Sequence, residues 1–200
     1  LKRLKDDKVD SAMIADYAMR HADKAELWRP LGESLSQLRE LFLYRHRLVR
    51  HRCSFEVRNS EKNLTLEKSP VKKLMRHSSD RIIAQINREI AQCEKAIREL
   101  IASDEEINRI YGIITSMPGI GMINAVCLIV YTENFRRFGF NARKIATYYG
   151  VAPFGKYSGT SIHTEPHVSP FANRTIKSLL SQAALAAIRF NPMIHAYYHA

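Results

Sequence analysis

A chain of 200 residues, 46% hydrophobic and 26% charged, is long enough for one or two domains with a buried core. No apolar run reaches the roughly 18 to 20 residues of a membrane span, and the opening LKRLKDDKVD has no signal-peptide stretch, so a cytoplasmic protein with no membrane contact is expected. Lys and Arg outnumber Asp and Glu by 31 to 20, a net charge of +11, which suits a polyanionic partner. From Tyr111 onward eight cations face only two acids, Glu133 and Glu165. Cys53, Cys93 and Cys127 are odd in number and far apart, a pattern of reduced thiols rather than of disulfides or a metal knuckle.

The first segment has helical spacing at Val9, Met13 and Tyr17. Asp7 and Asp10, three apart, share one face of that helix. Two carboxylates there suit a divalent ion such as Mg²⁺ between them, or simply acids placed at the positive end of a helix dipole. Pro30 ends the segment.

Leu31, Leu35, Leu38, Phe42, Arg45, Val49 and Arg52 then recur at alternating four and three. The polar stretch 59–70 interrupts, and Ile83, Ile86, Ile90, Cys93, Ile97 and Leu100 resume the alternation. The spacing predicts two long antiparallel helices over 31–58 and 70–103, a coiled-coil hairpin or two members of a bundle. Arg45, Arg47, Arg50 and Arg52, interleaved with His46 and His51, occupy too many helical angles to face one core. They are candidate nucleic-acid contacts or a solvated face.

Apolar helical runs precede and follow Met117-Pro118-Gly119-Ile120-Gly121. Glycine supplies the positive φ a tight turn needs. Gly119, Ile120 and Gly121 therefore read as a turn whose following helix N-terminus offers amides to a phosphate, or as an αα-corner without ligand. The stretch 151–169 has little periodicity and reads as a long loop. Within it Gly155-Lys156-Tyr157-Ser158-Gly159 sets a hydroxyl beside a cation, a candidate nucleophile or an ordinary turn serine. A helix with a small-residue face follows from about Pro170, and Asn191-Pro192 ends it. There is no P-loop and no zinc spacing; His195 and His199 lack a third ligand.

Taken in order, the Pro-Gly-Ile-Gly turn, Phe135-Arg136-Arg137-Phe138, Ala142-Arg143-Lys144-Ile145-Ala146, Tyr149-Gly150-Val151-Ala152-Pro153, Tyr157-Ser158-Gly159 and Asn173-Arg174-Thr175-Ile176-Lys177 resemble one family. It is the insertion-sequence one-ten group of DEDD-type serine transposases, the bridge-RNA-guided recombinases, and the resemblance covers roughly residues 105 to 190. Asp7-Lys8-Val9-Asp10-Ser11-Ala12 is similar to the last acidic motif of that family's RuvC-like domain, with a serine inserted before the alanine. The family's two earlier acids have no counterpart here, which implies an N-terminally shortened copy. One departure stands out: the family carries several cations between its Ser-Gly pair and the Asn-Arg of the last helix, where this chain has TSIHTEPHVSP.

The expected fold is mainly α: a RuvC-like remnant at 1–30, a coiled-coil helical hairpin at 31–103, and a compact helical domain with a helix-hairpin-helix turn at 104–200. The resemblance implies DNA transposition in the full-length protein. Ser158 would attack the phosphodiester, Asp7 and Asp10 would help hold Mg²⁺, and Gly119, Ile120, Gly121, Lys156, Arg174 and Lys177 would contact double-stranded DNA. It also implies a guide RNA and a homo-oligomer. The alternative is a non-enzymatic helix-hairpin-helix DNA-binding module on a coiled-coil dimeriser.

Overall fold

The computed structural model describes residues 6–24, 30–60, 69–154, 157–158, 162–163, 167–168 and 172–199. The chain is mainly helical, as expected, and divides into two units, residues 1–31 and 32–200. In the first, α1 (Asp7–Arg20) starts at Asp6, whose carboxylate accepts the Lys8 amide at 3.0 Å. All of α1 is exposed within that unit. No helix among the described residues is long and apolar enough to cross a membrane.

The second unit opens with α2 (Glu33–Ser60) and α3 (Pro70–Ser103). The Ser69 hydroxyl caps α3 by accepting the Lys72 amide, and Pro70 occupies the first turn, where its missing N–H costs nothing. Side-chain pairs fix the relative direction of the two helices. Cys93 donates its thiol proton to the Leu41 carbonyl at 3.3 Å, Arg45 meets Glu94, Arg52 donates to Asn87 at 3.2 Å, and Asn59 donates to Asp80 at 3.1 Å. Later positions in α2 thus meet earlier ones in α3, so the helices run antiparallel.

Asp104 turns the chain from α3 into α4 (Glu105–Thr115). It ends one helix and caps the next, accepting the Ile107 amide at 3.0 Å, and that hydrogen bond holds its carboxyl below the usual range. Next comes α5 (Met122–Thr132), apolar nearly all round, with Ala125, Val126, Cys127, Ile129, Val130 and Thr132 buried. A helix of that composition belongs inside. It packs on α2, α4 and α7 (Arg174–Phe190), and the Phe42 and Tyr131 rings meet edge-on at 6.1 Å. One core results, joining Leu38 and Phe42 of α2, Cys93, Ile97 and Ile101 of α3, Ile107 and Ile110 of α4, Val126, Cys127, Ile129 and Val130 of α5, Tyr149 and Ile176.

After α5 come α6 (Ala142–Tyr148), four short strands, α7 and α8 (Pro192–His199). The stretch read from sequence as a long irregular loop contains short strands among its described residues. Within it β1 (Pro153–Phe154) pairs antiparallel with β4 (His167–Val168), and β2 (Tyr157–Ser158) with β3 (Ile162–His163). The inner pair lies within the span of the outer one. Two-residue strands carry no periodicity a sequence can show, which is why the ladders were missed.

Candidate functional site

The Pro-Gly-Ile-Gly turn joins α4 to α5 through a hydrogen bond from the Ile120 amide to the Met117 carbonyl, 3.1 Å. Proline at the second position and a glycine with φ +96° at the third are the arrangement of a type II turn. Gly119 is also held from outside. A Cβ there would lie 2.7 Å from the Ala183 carbonyl oxygen and 2.8 Å from the Ala187 nitrogen, so the turn rests directly on the α7 backbone. Ile120 is half-buried beside it.

Gly121 differs in every respect. Its φ of −87° and ψ of 177° are open to any residue, a Cβ would meet nothing within 4 Å, and it is exposed. It is the N-cap of α5 yet offers no capping side chain, although Ser, Thr, Asp or Asn would serve that position better. Neither backbone strain nor packing calls for glycine at 121.

At the other end of α7, the Asn173 side chain accepts the Thr175 and Ile176 amides. Arg174 is exposed in the first turn, and Lys177, three residues on and half-buried, shares its face. Nine residues of helix separate Arg174 from Ala183, roughly 14 Å at 1.5 Å per residue. The Gly119 turn and the Arg174 end are therefore two places on one rod. Ser158 lies in β2 opposite Ile162; its side chain and all of Lys156 fall outside the described residues.

Asp7 and Asp10 are both exposed in the first turn of α1. Among the described residues no third carboxylate, imidazole or thiol joins them, and no such cluster exists elsewhere. By themselves they do not fit a resident Mg²⁺.

The four arginines of α2 divide. Arg45 is largely buried and binds Glu94 through Nε at 2.8 Å and Nη2 at 2.7 Å. Arg52 reaches Asn87 and, at 3.3 Å, Glu56. Arg47 and Arg50 face solvent, Arg47 lying over the Tyr44 ring at 5.8 Å. Pairing across the helices, invisible in a basic run, separates the first two from the others.

One segment escaped the sequence reading. Glu133, Asn134 and Phe135 are consecutive residues with φ of 54°, 55° and 66°, and Phe140 follows at 58°. Left-handed backbone is disfavoured for residues with a Cβ, most of all for bulky ones. The Thr132 hydroxyl steadies the run: it donates to the Leu128 carbonyl at 2.6 Å and accepts the Phe135 amide at 2.9 Å. Asn134, Gly139 and Asn141 were visible turn-formers; the left-handed Glu133, Phe135 and Phe140 had no signal. The Tyr149 hydroxyl and the Asn134 side-chain oxygen Oδ1 are buried without a partner among the described residues. Burial also pushes the Cys127 thiol up to about 12 and raises the Tyr149 phenol.

The region thus combines an uncapped start of α5, cations on the first turn of α7 and a short ladder. Residues 111–199, from the end of α4 through α8, match the family described as "Transposase IS116/IS110/IS902 family". Over 104 residues the chain is 35% identical to the "Insertion element IS110 uncharacterized 43.6 kDa protein" of Streptomyces coelicolor, covering 52% of this chain and 25% of that protein. Over 183 residues it is 27% identical to the pilin gene-inverting proteins of Moraxella bovis and Moraxella lacunata, covering 92% of this chain and 53% of each relative. The chain thus spans about a quarter to a half of the length of these curated relatives.

Proposed function

We propose that this chain is the DNA-handling part of a transposase or DNA recombinase, and that the start of α5 holds a phosphate of double-stranded DNA. The observation carrying the contact is the glycine at 121, which the fold does not require and which leaves the first amides of α5 uncovered. A backbone without a side chain lets a phosphate approach donors at the positive end of a helix dipole. Arg174 and Lys177 give a second anchor farther along α7. Along α7, Arg174 lies roughly 14 Å from Ala183, on which the turn before α5 is seated.

In the full-length protein this reading makes Ser158 the nucleophile. Its hydroxyl oxygen attacks the scissile phosphorus, the P–O bond to the leaving strand breaks, and that strand leaves with a free hydroxyl. Lys156, Arg174 and Lys177 are the cations nearest in sequence to offset charge on the phosphate. Asp7 and Asp10 contribute two carboxylates to a Mg²⁺ site that residues outside this chain complete. Resemblance adds a guide RNA, with Arg47 and Arg50 as the outward-facing contacts of α2, and a homo-oligomer.

Gly121→Asp tests the DNA contact. A capping carboxylate stabilises α5 while repelling phosphate, so the variant should melt higher yet bind duplex DNA at least about tenfold more weakly, in proportion to the loss of one phosphate contact. Unchanged affinity in the folded variant means an αα-corner without ligand. For the nucleophile, full-length protein with guide RNA and labelled DNA is denatured before electrophoresis. A covalent adduct that survives Ser158→Ala removes Ser158 from the role; absence of any adduct in wild type favours a non-enzymatic DNA-binding module.

A further inference from the structure

Phe140 carries two local costs. Its φ of 58° is left-handed, where asparagine or glycine would sit more easily, and the residue is 69% exposed. The backbone holds it there: its amide donates to the Phe135 carbonyl at 3.1 Å, and the Asn141 side chain on its other flank accepts the Arg143 and Lys144 amides. The ring is therefore presented outward from a turn pinned on both sides.

Cations surround that position. Arg137 lies over the Phe138 ring at 5.6 Å and the Tyr148 ring at 5.0 Å, and those two rings meet at 5.0 Å. Stacking fixes the guanidinium plane while its N–H edge stays available to an oxygen anion. Arg143 and Lys144 are exposed on the first turn of α6, which packs against the 136–138 turn. None of these three has a carboxylate partner among the described residues; Arg136 alone is taken, by Glu106 at 2.8 Å.

We propose that this turn is a second DNA contact, separate from the α5 start, which takes an unpaired base of a single-stranded segment. Phe140 stacks on the base, and Arg137, Arg143 and Lys144 hold the adjoining phosphates. An exposed aromatic ring beside free cations matches a nucleotide, which has a flat apolar face and a charged backbone. In an intact duplex the base faces are covered, so the site selects unpaired DNA. The inference rests on the DNA-binding reading above and extends it to the state of the strand.

The test measures this chain against a single-stranded DNA of about 20 nucleotides carrying 2-aminopurine, the same sequence as duplex, and the same sequence as RNA. Phe140→Asn keeps the left-handed turn and removes the ring. It should lose about tenfold in single-strand affinity and most of the 2-aminopurine quenching, leave duplex binding unchanged, and be matched by a Phe140→Trp variant that retains both. Substituting Arg137, Arg143 and Lys144 together with Gln should lower the single-strand salt slope by about two. Single-strand binding untouched by Phe140→Asn, or equal losses on single strand and duplex, overturns the stacking site alone. Tighter binding of the RNA overturns the choice of DNA, and wild-type protein binding no DNA overturns both this site and the reading it rests on.

Discussion

The two ends of the α2–α3 pair differ in what covers them. At the base, Leu38, Phe42, Ile90, Cys93, Ile97 and Ile101 are buried, because α4 and α5 close over the seam. Toward the tip, residues 43–59 and 70–89 bury no described side chain fully, and Val57, Val71 and Leu74 are 59%, 63% and 70% exposed. The alternating pattern is the same at both ends. Two helices shield only the strip between them, and complete burial needs a further layer.

The largest expected effect breaks the base. Ile90→Asp puts an unpaired charge at a 7% exposed position and should cost about 3 to 5 kcal/mol in denaturant unfolding, whereas Leu74→Asp at the tip should stay within about 0.5 kcal/mol. Equal losses would mean that the tip is as covered as the base.

Next in size is the turn seated on α7. Gly119→Ala combines a disfavoured φ with overlap against the Ala183 and Ala187 backbone, and about 2 to 4 kcal/mol should be lost. Gly121→Ala, two residues on, should change stability by no more than about 1 kcal/mol. Thermal unfolding of both variants checks the contrast.

A smaller effect marks the boundary between base and tip. Burial, then the Arg50 and Arg45 charges, hold the His46 imidazole below its ordinary value. The unfolded chain therefore binds the proton more readily than the folded one. The His46 contribution is fully present above the unfolded value of about 6.5 and is lost as pH falls from there through the depressed folded value. His46→Gln should flatten that part of the stability–pH curve. The mildest probe is alkylation of the native protein: Cys53, exposed toward the tip, should react, while Cys93 and Cys127, buried at the base, should react only on unfolding. Mass spectrometry reads the count.

The helices were legible in the sequence because their signals are local and repeated. The 3-4 spacing predicted 31–58 and 70–103, against Glu33–Ser60 and Pro70–Ser103 observed. Proline and glycine marked the 117–121 turn. What distinguishes Gly119 from Gly121 was not legible, since it depends on Ala183 and Ala187 of α7, more than sixty residues away. The same holds for Arg45, whose partner Glu94 lies on the facing helix, and for the left-handed Glu133 and Phe135, which their residue types do not favour and which flank Asn134 in a run steadied by the Thr132 hydroxyl.

The seat of Gly119 on α7 sets a phase as well as a length. Arg174 and Lys177 project from the first turn of a helix whose angular position is indexed by Ala183 and Ala187 against the turn. One residue inserted between Lys177 and Ala183 would lengthen the rod by only about 1.5 Å but swing both cations by about 100° around its axis. Seven inserted residues, about two full turns, would restore their bearing at a greater reach. The spacing between the start of α5 and the cations of α7 is therefore tunable only in steps of whole turns.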